Sequence, residues 1–290
     1  MRLCEEVRVS CAAIAESARD VAIDLSRVGE IKAGPEPELD PERHYLEGSA
    51  EDVALFTLTL DAINFGSGWF PTLRKRPGCS GYNTIAWALT DRFRADGPWS
   101  ADELSALRAE TVADVLGQER GHELMGLYAE ALRQLGAFLG DRSALEVVAA
   151  AGGSAERLAG QLVAGMPLFE DPGFYKRAQI VPSDLTLAGV ADFDDIDALT
   201  IFADNLVPHV LRVDGVLRYS DELAAAIDAE RLLPPGDQER EIRACAVVAC
   251  EAIAADLGVP PRVLDNWLWN HGQQPRYKAI PRHRTRTTAY

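Results

Sequence analysis

Four stretches of the chain put polar groups where a buried helix would not keep them, and Asp204 stands in the most pointed of these. In Ile201-Phe202-Ala203-Asp204-Asn205-Leu206-Val207-Pro208-His209 the carboxylate follows three apolar residues and shortly precedes a proline. Proline disfavours helix at the residue before it, so Asp204 is read near a helix end that faces a turn. A carboxylate there either caps a neighbouring helix or does chemistry, and the pattern leaves both readings open. In Phe174-Tyr175-Lys176-Arg177-Ala178-Gln179-Ile180 two cations sit between aromatic and apolar residues. A lysine in that setting can be desolvated and held near a carboxylate or an anionic ligand; a solvated lysine on an amphipathic helix is the plainer reading.

The other two stretches offer binding groups. An apolar helix runs into Asp61, Ala62, Ile63, Asn64 and Phe65 before Gly66-Ser67-Gly68. Asn64 can supply a directional hydrogen bond and Phe65 an aromatic wall at the end of a pocket; helix capping with Phe65 in the core explains the same residues. Gly66-Ser67-Gly68 follows a helix rather than leading from a strand into one, which is not a phosphate-loop arrangement. The tail from Arg276 to Arg286 is a basic patch on an acidic chain. Its guanidinium forks can bind a phosphate or pair with surface acids.

Helices must position these groups, because helical signals dominate. Cys4, Val7, Cys11 and Ile14 make one apolar stripe. A proline-rich loop, residues 34–41, then separates that helix from one opened by a capping box of Ser49 and Asp52 and closed at Gly66. Ser100 with Glu103, Thr111 with Asp114, and Ser154 mark further starts, and later helices are expected over about 221–229, 239–256 and 261–271. Residues 213–217 read equally as a small hairpin or a helix–helix connection. With no repeat and no composition break, residues 1–290 are expected to form one mostly α domain, with room for two lobes around a cleft.

The 290 residues are 47% hydrophobic and 26% charged, an ordinary globular balance. A net charge of −16 argues against gripping long nucleic acid, which relies on basic surface, but allows a small anion in a local basic pocket. No apolar run approaches the roughly 20 residues of a membrane span, and two acids in the first seven residues do not suit a signal peptide, so the cytoplasm is the expected location. Five scattered cysteines read as free thiols, and five histidines make no metal-binding spacing.

Taken in order, these segments resemble the queuosine salvage proteins, the queuosine 5′-phosphate N-glycosylase/hydrolase family. The matching stretches are Glu16-Ser17-Ala18-Arg19-Asp20-Val21, Asp61 to Phe65, Ser80-Gly81-Tyr82, Ser154 to Leu158, Phe174 to Ile180, and Phe202-Ala203-Asp204 through Pro208. Glu241-Ile242-Arg243, Leu268-Trp269 and His283-Arg284-Thr285-Arg286 complete the set. The chain departs from the family at His209, Asn270 and Arg282. The resemblance implies a helical fold similar to helix-hairpin-helix DNA glycosylases, and a family activity that releases queuine, a 7-deazaguanine base, from its nucleotide. Asp204 falls on the family's catalytic aspartate and Lys176 on its motif lysine. His44 and Glu239 resemble groups that read the base edge.

On that resemblance the substrate is queuosine 5′-phosphate or queuosine, with no metal and no organic cofactor needed and no direct nucleic-acid contact. Asp204 would stabilise or attack the ribosyl cation. Lys176 would orient Asp204 or bind a ribose or phosphate oxygen. Phe65, Phe202 and Tyr175 would stack on the base, with Asn64 and Asn205 as further contacts and Arg284 and Arg286 on the phosphate. The rival readings are a base glycosylase acting on DNA and a non-catalytic helical binding module.

Overall fold

The computed structural model describes residues 2–290. Its helices are α1 (Leu3–Ser17), α2 (Ala50–Ala62), α3 (Gly81–Asp96), α4 (Ala101–Ser105), α5 (Ala109–Val115), α6 (Glu123–Leu139) and α7 (Ala144–Ala150). They continue with α8 (Ala155–Gly165), α9 (Lys176–Leu187), α10 (Val207–Val213), α11 (Asp221–Asp228), α12 (Asp237–Leu257), α13 (Pro261–His271) and α14 (Pro275–Lys278). Two short strands, β1 (Val21–Ile23) and β2 (Leu217–Tyr219), pair antiparallel with Val21 opposite Tyr219. The chain is thus a mostly helical single domain.

Two helices organise it. Every residue of α2 from Val53 to Ala62 is buried, mostly apolar but including Thr57, Thr59 and Asp61, so the helix needs cover on every side. Helices α6, α7 and α9 supply much of that cover and share one hydrophobic cluster with it. In α12 the run from Glu241 to Val247 is buried likewise, covered by α1, α10, α13 and β1 in a second cluster. Helix α1 begins the chain yet packs on α12, with Val7 and Cys11 of the predicted stripe in the second cluster and Cys4 in the first. The single domain thus holds two hydrophobic clusters.

Local signals hold where side-chain caps decide the matter. Ser49 with Asp52 and Ser100 with Glu103 form reciprocal capping boxes, and Ser154 caps α8 by accepting from the Arg157 N–H. Three expectations are corrected. Thr111 lies inside α5, which starts at Ala109 without a side-chain cap. Residues 213–217 form neither a hairpin nor a helix–helix link: Gly215, at φ +79°, turns the chain from α10 into β2, whose partner lies near the N-terminus. Pro208 opens α10 instead of closing a helix, because a proline in the first turn lacks only an N–H that would have no partner anyway. No helix among the described residues is long and apolar enough to cross a membrane.

Candidate active site

A cavity of about 480 Å³ opens between the two clusters, a volume suited to a ligand of nucleotide size. One side is built by the end of α2, the start of α3 and one face of α9, where Lys176, Ile180, Ser183, Asp184 and Leu187 recur at helical spacing. The opposite side comes from residues 202–206 and a face of α13 carrying Arg262, Asp265, Asn266 and Trp269. Residues 279–285 run along the cavity as a strap, with residues 279–282 and 284 in its lining. That strap packs tightly, since a Cβ on Gly68 would stand 2.4 Å from the Thr285 carbonyl oxygen.

Asp204 enters the cavity just before α10. Its Oδ1 accepts the N–H groups of Leu206 at 2.7 Å and Val207 at 3.0 Å, which caps that helix. Its Oδ2 takes no hydrogen bond from the described residues, and the residue lines the cavity. One carboxylate oxygen is therefore committed to the backbone at the start of α10, and the other has no partner among the described residues.

Lys176 is buried at the first position of α9. Its ammonium donates to the Asn64 carbonyl at 3.1 Å and to Asn64 Oδ1 at 2.9 Å, so it is held from behind by the end of α2. Asn64 in turn donates from Nδ2 to Asp61 Oδ1 at 3.2 Å. Among the described residues Lys176 makes no ion pair with Asp204. Burial lowers its pKa, and the charge of Asp204 is the foremost influence opposing that shift. The neighbouring Arg177 points the other way, donating to the Ala62 carbonyl at 2.8 Å between the rings of Phe65 and Phe169. A cation at that helix C-terminus satisfies an otherwise orphaned carbonyl.

A buried ionic network holds both Lys176 and Asp204 from below. Arg243 grips Asp171 through two bonds of 3.0 and 2.6 Å and donates from Nε to the Ala203 carbonyl at 2.9 Å. Asp171 accepts the Lys176 N–H at 3.1 Å. One guanidinium thus fixes the residue before Asp204 and, through Asp171, the start of α9.

Of the residues singled out in the sequence, His44, Asn64, Phe65, Lys176, Phe202, Asp204, Asn205 and Arg284 line the cavity. His44 Nδ1 lies 2.9 Å from the Asp40 carbonyl. A carbonyl only accepts, so Nδ1 carries the proton and Nε2 remains an acceptor. Burial lowers the pKa of this imidazole and favours its neutral form. Phe65 is packed edge-on against Tyr128 and under Arg177, which leaves its ring in the core. Asn205 donates to the His283 carbonyl at 3.0 Å and pins the strap.

Tyr175, Glu239 and Arg286 are not brought to the cavity. The Tyr175 hydroxyl donates to Glu6 at 2.7 Å, Glu239 pairs with Arg243 at 3.5 Å, and Arg286 pairs with Glu123 at 3.2 Å. Arg284 lines the wall with its charge met by Glu230 at 3.2 Å.

Sequence reasoning passed over the cavity's other carboxyl groups and its aromatic corner. Asp265 accepts the Phe202 N–H at 2.9 Å, and burial, then the charge of Asp204, raises its pKa well above the ordinary range. Burial does the same to Asp184. Tyr82 and Trp269 meet edge to face at 5.8 Å, one from α3 and one from α13. Their spacing on helix faces was the available signal, but a polar helix face is ordinarily solvated.

Asp61, behind Asn64, has its pKa pushed up to about 7 by burial, opposed by Asn64, Lys176 and Arg177. A folded-state value above the unfolded one means that its contribution to stability is present at low pH and is lost as pH rises from about 4 through about 7. Asp61→Asn removes this titration. Its melting temperature relative to wild type is expected to be more favourable at pH 8 than at pH 5; a difference independent of pH would contradict this placement of the proton.

A family model described as queuosine salvage protein matches residues 43–290. A Sphaerobacter thermophilus protein named queuosine 5′-phosphate N-glycosylase/hydrolase is 33% identical, over 96% of this chain and 95% of its own length. Proteins of the same name from Mus musculus and Bos taurus are 29% and 30% identical, each over 98% of this chain and 98% of the relative. A family match over most of the chain, with relatives aligned from end to end, means that this protein belongs to the queuosine salvage protein family.

Proposed function

We propose that the protein hydrolyses queuosine 5′-phosphate to queuine and ribose 5-phosphate, with Asp204 as the carboxylate facing the anomeric carbon. The observation that carries this is Asp204 itself: one oxygen is locked by two backbone N–H groups and the other is unpartnered in a nucleotide-sized cavity. Family membership supplies the substrate class, since the relatives are named for acting on queuosine 5′-phosphate. The family resemblance also carries a likeness to helix-hairpin-helix glycosylases. The small cavity and the net charge of −16 favour a nucleotide over DNA.

Cleavage sends the electron pair of the ribosyl C–N bond to the base, which takes up a proton, while positive charge builds on the sugar. Water then delivers its oxygen to the anomeric carbon. An enzyme acting on an ordinary purine can protonate N7 to help the base leave. Queuine has carbon at that position, so stabilisation falls more heavily on the sugar side, where a carboxylate attacks or steadies the developing cation. Lys176, fixed by Asn64, adds a positive field beside Asp204 and offers its remaining proton to a ribose oxygen. Phe202, Tyr82 and Trp269 offer apolar surface to the flat base. His44 Nε2 offers an acceptor to its polar edge, and Asp265, whose pKa burial raises, lines the same wall. We assign Tyr175, Glu239 and Arg286 supporting roles outside the cavity.

Incubation of the purified protein with queuosine 5′-phosphate, followed by chromatography, is expected to give queuine and ribose 5-phosphate in equal amounts. Intact substrate after prolonged incubation with folded protein would overturn the assignment.

A further inference from the structure

The proposed substrate carries a charge that the groups assigned so far do not meet: a 5′-phosphate, one ribose away from the bond that breaks. The arginines lining the cavity are Arg43, Arg262, Arg282 and Arg284. Three of these have a carboxylate already. Arg43 pairs with Asp40 at 2.6 Å, Arg262 with Asp197 at 2.8 Å and Arg284 with Glu230 at 3.2 Å. Arg282 is partly buried, and among the described residues its guanidinium makes no hydrogen bond and no ion pair. A partly buried guanidinium whose donors have no protein partner is free to take an anionic ligand in the cavity it lines.

The backbone around Arg282 is fixed on both sides. Arg212 Nη1 donates to the Pro281 carbonyl at 3.5 Å, and Asn205 Nδ2 donates to the His283 carbonyl at 3.0 Å. Beyond these, the Leu233 N–H donates to the Arg284 carbonyl at 2.9 Å. The strap is therefore a rigid mount for this side chain. Arg282 and Asp204 line the same cavity, where burial lowers the pKa of the guanidinium and the charge of Asp204 is the foremost influence opposing that shift. Lys75 and Lys278 also line the wall but are exposed, where water already solvates them.

We propose that Arg282 is the phosphate-binding residue, seating the 5′-phosphomonoester so that the anomeric carbon of the same ribose lies over Asp204, and that it sets the preference for nucleotide over nucleoside. This rests on the reading of the cavity as a ribosyl hydrolase site. The planar fork of an arginine matches two phosphate oxygens at once, which gives direction as well as charge. The same contact explains why a lone cation can stay unpaired in an acidic protein: its partner arrives with the substrate.

The test compares kcat/KM for queuosine 5′-phosphate and for queuosine in wild type, Arg282→Gln, Arg282→Lys and Arg284→Gln, together with thermal shifts by ribose 5-phosphate. Arg282→Gln is expected to reduce the nucleotide-to-nucleoside ratio by roughly 10- to 100-fold, as for one charge-assisted pair, with partial recovery in Arg282→Lys. Ribose 5-phosphate should stabilise wild type and fail to stabilise Arg282→Gln. Equal loss on both substrates would show that Arg282 acts through Asp204 instead, and a selective loss in Arg284→Gln would move the phosphate site; either overturns the assignment. If wild type cleaves neither substrate, the hydrolase reading fails by itself. The ribose 5-phosphate shift then still decides the phosphate site, and equal stabilisation of wild type and Arg282→Gln would overturn it.

Discussion

Asp204→Asn is expected to slow queuine release from queuosine 5′-phosphate by at least about 1,000-fold, the scale seen when a principal charge-stabilising group is removed. The melting temperature should scarcely move. Two roles meet in this residue, and the substitution separates them. Asparagine keeps an Oδ1 that can accept the Leu206 and Val207 N–H groups, so the cap on α10 survives. What disappears is the negative charge on the cavity-facing oxygen, and with it the capacity to attack or steady a ribosyl cation. Asp204→Ala makes the complementary comparison, losing the cap as well, at about 1 kcal/mol of stability. Near-normal turnover in Asp204→Asn, or a collapse in its thermal stability, would contradict the dual assignment.

Arg243→Met is expected to destabilise the fold by about 3–5 kcal/mol, because removing one member of a buried ionic network strands the others. Arg243 is 2% exposed, and its loss leaves Asp171 and Glu239 buried without their shared partner. It also removes stacking on Phe174, where the guanidinium lies 3.9 Å from the ring centre. Activity should fall further than stability alone explains, since the same side chain holds the Ala203 carbonyl and, through Asp171, the Lys176 N–H. Arg243→Lys restores charge without the planar fork and should lie in between. Urea unfolding checks the first statement, and a loss below about 1 kcal/mol would mean that the network is not a structural keystone.

The sequence carried the helical class and most helix starts, because those depend on local patterns and caps such as Ser49 with Asp52. It carried Asp204 and Lys176 as polar groups in apolar company. It did not say which way neighbours point. Tyr175 and Lys176 are adjacent, yet Lys176 enters the cavity while Tyr175, at φ +52°, sends its hydroxyl to Glu6 on α1. Glu239 looked available for a ligand until α12 brought it one turn from Arg243. In the tail, the sequence pointed to Arg284 and Arg286 for the phosphate and marked Arg282 only as a departure from the family; the acids opposite the first two are what set Arg282 apart. Asp184 and Asp265 were hidden for another reason: each occupies a helix position that would suit a solvated face. Only packing of one half of the molecule against the other turns those faces inward. The proline at 208 misled because the rule for the residue before proline competes with the welcome that a first helical turn gives it.

The most direct test is a crystal structure of the Asp204→Asn variant with uncleaved queuosine 5′-phosphate. The substrate should occupy the cavity between α9 and α13, its anomeric carbon beside the side chain at position 204 and its phosphate on Arg282. Substrate bound elsewhere, or seated in this cavity with the ribosyl bond turned away from position 204, would contradict the assignment of Asp204 as the reacting carboxylate.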